Sequence, residues 1–192
     1  MKTLLLCAAC SVALAACNNS PEIDEKNASV SEVAAKVRSA SGDGGFVRPG
    51  EWTSHVTIEE FSVPGMPPEM AKNMQTAMAR QGANDFKSCL TAEDVKKPKG
   101  DFFTGNDQCR YDHFKMGDGK IDAAMRCDGG PSGTQQVMTM TGTYSPEQYE
   151  MHMTMNAAQG SSEPAAKGMT MKMLVESKRI GECTPETASA ER

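Results

Sequence analysis

Apolar and polar residues alternate with period two in several separate stretches of the chain, and turn-forming residues break the alternation at short intervals. This is the pattern of antiparallel strands that bury one face. Trp52, Val56 and Ile58 begin it. Residues 109–116 and 120–127 flank Gly117-Asp118-Gly119, which reads as a three-residue hairpin loop with glycine available for positive φ. Residues 137–144 and 148–155, separated by Ser145-Pro146, and residues 169–177, reached through a loop at 160–168, supply three more strands. The period changes at 69–81, where Pro67-Pro68 precedes apolar residues at helical spacing. Thr91-Ala92-Glu93-Asp94 reads as a capping box that opens a short helix stopped by Pro98. The expected architecture is α+β, mainly β: an antiparallel meander, curved toward a partial barrel, with one helix packed across it.

The chain starts differently. Lys2 precedes an apolar run from Leu4 to Ala16, too short for a membrane span of about 20 residues, and Leu14-Ala15-Ala16-Cys17 closes it. This end resembles the lipobox of bacterial lipoproteins. The resemblance implies a signal peptide at 1–16 and acyl chains on Cys17. With Asn18 rather than Asp next to it, it also implies an outer-membrane anchor. The expected orientation is toward the periplasm. Residues 17–45 are polar and rich in Ser, Ala and Gly, with one weakly amphipathic stretch at Val30, Val33, Ala34 and Val37. They read as a flexible tether, with room for a short helix at that stretch, to a single domain at 46–185, followed by a loose tail at 186–192.

Of the seven cysteines, signal removal and lipidation leave Cys89, Cys109, Cys127 and Cys183, an even set that suits disulfides in an oxidising compartment. If Met116 faces Lys120 in the hairpin, Cys109 lies opposite Cys127 and Tyr111 opposite Met125, within bridging separation. Cys89–Cys183 follows by elimination and closes a long loop, worth roughly 4 kcal/mol. Zinc is disfavoured because these four cysteines include no Cys-x-x-Cys and their spacings are wide.

Methionine is the second compositional signal, with 15 residues against 5% aromatics. Met138 and Met140, then Met151, Met153 and Met155, then Met169, Met171 and Met173, each share one face of a strand. Met70, Met74 and Met78 form an i, i+4, i+8 helix stripe. These faces are expected to pack together as a soft core that closes dry or parts around an apolar ligand, with Met70, Met74, Met78, Met138, Met140, Met151, Met153, Met155 and Met171 lining it. A Cu(I) or Ag(I) site at Met151 and Met153 is the alternative, since thioethers are soft ligands on one strand face. His152 points to the opposite face and cannot join them.

No catalytic group is expected. His55, His113 and His152 are scattered, no nucleophile turn, phosphate loop or His-Glu-x-x-His helix appears, and Asp118-Gly119-Lys120-Ile121-Asp122 lacks a calcium-loop series. The net charge of −5 and the single short cluster Lys96-Lys97-Pro98-Lys99 argue against nucleic acid as a partner. No cofactor is called for.

Gly50-Glu51-Trp52, the Val63-Pro64-Gly65-Met66-Pro67 turn before a Met-bearing helix, Cys89-Leu90-Thr91 and the later cysteines resemble a bacterial family of domains of unknown function, number 3617, over about residues 48–185. The resemblance implies export, disulfides and one domain, and carries no catalytic or binding residue. The function expected is therefore a lipid-anchored, non-catalytic binding or interaction module whose partner is an apolar small molecule or an envelope protein. Soft-metal binding and a purely structural envelope role are the alternatives.

Overall fold

The computed structural model describes residues 22–41, 46–82, 85–96, 108–128, 135–157 and 168–184. The signal segment, Cys17, Pro98, most of the 160–168 loop and the tail lie outside them. The elements in chain order are β1 (Ile23–Ser29), α1 (Val30–Ser41), β2 (Gly50–Ser62), α2 (Pro68–Gly82), β3 (Phe86–Leu90), α3 (Ala92–Lys96), β4 (Cys109–Gly117), β5 (Lys120–Cys127), β6 (Gln136–Ser145), β7 (Gln148–Ala157) and β8 (Thr170–Gly181). Eight strands form one antiparallel sheet in the order β1-β4-β5-β6-β7-β8-β2-β3. The strands from β4 to β8 are the expected meander. The sheet is open, with β1 and β3 as its two edges, so the expected curvature does not go on to close a barrel.

Within the expected tether the amphipathic stretch is a helix, α1, but residues 23–29 form an edge strand and both elements pack into the domain. Ser29 and Glu32 form a reciprocal capping box: the Ser29 N–H donates to Glu32 Oε2 at 2.7 Å and the Glu32 N–H to Ser29 Oγ at 3.2 Å. These bonds to the Ser29 backbone and hydroxyl hold the Glu32 carboxyl below its ordinary range. Behind the cap, Val30, Val33, Ala34 and Val37 make one apolar stripe, and Val33 and Val37 are buried against Ile23, Ala28, Tyr111, Phe114 and Met125. The main core of the described residues therefore lies between α1 and the β1–β4–β5 part of the sheet, with Phe114 fully buried.

Burial pushes the Tyr111 hydroxyl up to about 12. The neutral phenol is favoured in the folded chain, so this contribution is complete below about pH 10, the unfolded value, and is lost as pH rises toward 12. Thermal melts across that window should fall for the native chain and fall less for Tyr111→Phe; parallel curves would show that Tyr111 is not the group responsible.

The hairpin corrects the expected register in two places. Asp118 and Gly119 both have positive φ, 48° and 71°, so the loop has two residues, and Gly117 rather than Met116 faces Lys120. A bulge at Asp112 then shifts β4 by one residue, and Tyr111 again faces Met125 and Cys109 faces Cys127. The Arg126 guanidinium pairs with the bulged Asp112, and Arg110 Nε donates to Asn27 Oδ1 at 3.2 Å on the other side. The two departures cancel at the disulfide, where Cys109 and Cys127 are bonded with Cα atoms 3.9 Å apart. Cys89 of β3 is bonded to Cys183, just beyond β8, tying together the two neighbours of β2.

The expected helix is present as α2, and α1 adds a second. α1 covers β1 and β4, whereas α2 packs on β2, whose outer side pairs with β3 only over 50–54. Gln75 Nε2 donates to the Ile58 and Glu59 carbonyls at 3.2 and 3.1 Å, so α2 satisfies edge groups that β3 does not reach.

Candidate binding face

The strand methionines are on one sheet face, and the register aligns them further than alternation alone requires. Met140 faces Met153, which faces Met173; Met138 faces Met155, which faces Met171. Six thioethers thus form two parallel rows of three across β6, β7 and β8. All six are half-buried. Met138 and Met140 pack against the core beneath α1, beside a narrow slot bounded by Tyr111, Ala123 and Met125. Val56, Ile58 and Phe61 extend the apolar surface onto β2 next to Val175, Met173 and Met171.

Met151 has a different position. It faces Gly142 and Val175, and its sulfur lies where a Cβ on Gly142 would stand, 2.6 Å from that point. Met151 therefore fills the gap that glycine leaves and packs on the core. The helix stripe does not join the sheet face as expected: Met70 and Met74 are 53% and 42% exposed, and only Met78 is half-buried. Ala71, Gln75, Met78 and Ala79 are the less exposed positions of α2, because the helix sits along a strand edge and turns a narrow polar-centred stripe toward it.

The opposite face carries polar groups. His55 Nδ1 lies 2.9 Å from Asp85 Oδ1, His113 Nε2 lies 3.1 Å from Asp122 Oδ1, and His152 lies between Glu150 and Glu59 at 3.5 and 3.9 Å. The three histidines stay separate, His55 and His113 each beside one carboxylate and His152 between two. A shallow depression of about 710 Å³ is lined by Thr53, His55, Asp85, Glu150, Glu176 and Lys178, among others. Among the described residues no group of three or more His, Cys, Asp or Glu could hold a metal ion, and no helix is long and apolar enough to cross a membrane.

At the end of β2, Gly50 has φ +144°, and a Cβ there would lie 2.3 Å from the Gly181 carbonyl oxygen. Trp52 is buried, its Nε1 donates to the Arg48 carbonyl at 3.1 Å, and its ring lies 5.8 Å from that of Tyr149. Comparison with protein families finds a match over residues 47–183 to a family described as "Protein of unknown function (DUF3617)". The chain belongs to the DUF3617 family. No curated protein and no solved structure matches the chain. In this DUF3617 member Gly50, Trp52 and Cys89 all do structural work: a close backbone approach, an anchored aromatic and a disulfide. The match begins after α1, so the DUF3617 segment does not include Ile23, Ala28, Val33 and Val37, which complete the core.

Proposed function

We propose that this DUF3617 protein is a non-catalytic binding module of the bacterial envelope, lipid-anchored at Cys17 to the outer membrane and facing the periplasm, whose methionine-lined sheet face takes an apolar ligand. The observation that carries this reading is the half-buried state of the six aligned methionines, of which only Met138 and Met140 pack against the core beneath α1. A contiguous apolar surface left partly open is a binding surface when it is not a packing defect. Unbranched thioethers let such a surface adjust to ligands of differing shape. The two disulfides suit an oxidising compartment.

The test is a non-denaturing mass spectrum of the Cys17→Ser chain exported to the periplasm and purified without detergent. Retained mass matching a fatty acid or phospholipid is expected, and Met155→Lys, which places a charge on the face, should release it. A bare native chain would overturn the apolar-ligand reading. The anchor is tested separately: labelled fatty acid should enter the native chain and not Cys17→Ser.

A further inference from the structure

The two rows of methionines also have the chemistry of a metal site. Strand positions favour β-branched and aromatic residues, and the other face of the same strands follows that rule at Thr139, Thr141, Thr143 and Thr154. On the inner face the unbranched thioether recurs at six aligned positions, against strand propensity. We propose that the rows Met140–Met153–Met173 and Met138–Met155–Met171 each bind one soft monovalent cation, Cu(I) or Ag(I), through up to three thioether sulfurs.

Cross-strand neighbours place their Cβ atoms about 4.5–5.5 Å apart. Adjacent strands are about 4.8 Å apart, so the outer two of three are separated by roughly 10 Å. Three rotatable bonds let the sulfurs from β6 and β8 lean over the central strand, where Met153 and Met155 stand. The donor set fixes the class of ion. Thioethers are neutral and soft, which selects Cu(I) or Ag(I) and offers nothing to hard divalent ions that need carboxylate oxygen. Glu150, Glu176 and His152 occupy alternate positions on β7 and β8, facing the other way. The rows also move the site away from Met151, whose neighbours Gly142 and Val175 bring no second thioether across the strands.

The experiment uses Ag(I), which needs no reductant and so leaves both disulfides intact, on the exported Cys17→Ser chain, in which the four domain cysteines are bonded. Titration is followed by non-denaturing mass spectrometry and by the methionine methyl NMR resonances. One ion per row should bind, shifting the methyl signals of the six row methionines. Met153→Leu should lose one equivalent, and Met153→Leu/Met155→Leu both, while Met151→Leu and Met70→Leu/Met74→Leu keep both. Leucine preserves volume and apolarity at a cost below about 1.5 kcal/mol, so the chain stays folded and its apolar face stays apolar. Lipid retention by the double leucine variant, with silver lost, separates this site from the apolar-ligand reading. Equal silver uptake by the native chain and the double variant, or uptake lost with Met70 and Met74, would overturn the proposal.

Discussion

A chain that begins at Phe46 keeps the whole matched DUF3617 segment and is nevertheless expected to lose cooperative folding. The deletion takes away β1, and with it the pairing of β4 on its outer side, and strips α1 from Tyr111 and Phe114. Full burial of a Val or Ile side chain contributes about 1.5–3 kcal/mol, so Ile23, Val33 and Val37 together supply about 6 kcal/mol. That is comparable with the total stability of a small domain, about 5–15 kcal/mol. Urea unfolding followed by circular dichroism should show a broad, non-cooperative transition for the shortened chain. Val33→Ala in the full chain should keep the transition sharp and lower stability by about 2 kcal/mol. A shortened chain that melts as sharply, at the same midpoint, would show that the α1 core is dispensable.

The signs of α1 were present in the sequence, since Ser29-Val30-Ser31-Glu32 has capping-box form and the valines fall on one helix face. The sequence concealed β1. Its two buried residues, Ile23 and Ala28, are separated by an odd step, because Asn27 at φ 49° interrupts the alternation. A strand that does not alternate reads as loop, and a helix behind a loop reads as part of a tether. The hairpin shows the reverse case: a loop one residue shorter than expected and a bulge at Asp112 offset each other, so the expected pairing of Cys109 with Cys127 holds although the expected turn does not.

Alternation was enough to say which methionines share a face, because side-chain direction in a strand is local. Their alignment into rows is not local. It depends on the two-residue Pro146-Glu147 loop, which sets Met140 against Met153, and on a β7–β8 register that no short turn determines. The helix stripe departs from expectation for another reason. Met70, Met74 and Met78 have correct helical spacing, but α2 lies along an incompletely paired edge, where a glutamine that reaches backbone carbonyls fits better than a broad apolar face.

The two disulfides should be of unequal weight, and their order tests what holds the sheet together. Cys89–Cys183 spans 94 residues and Cys109–Cys127 only 18. Loop-closure entropy in the unfolded chain then gives about 4–5 kcal/mol for the long bridge and about 3 kcal/mol for the short one. The hairpin bridge joins directly paired residues on neighbouring strands, whereas the long bridge links β3 to the end of β8 across β2. Opening it frees an edge strand of only five residues and the chain end in one step. Cys89→Ser/Cys183→Ser should therefore lower the urea midpoint more than Cys109→Ser/Cys127→Ser, by about 1–2 kcal/mol of stability. The opposite order would mean that native packing around the Asp112 bulge, rather than restriction of the unfolded chain, is what the bridges chiefly secure. In that case Arg126→Ala, which removes the partner of Asp112, should reproduce much of the loss with both disulfides intact.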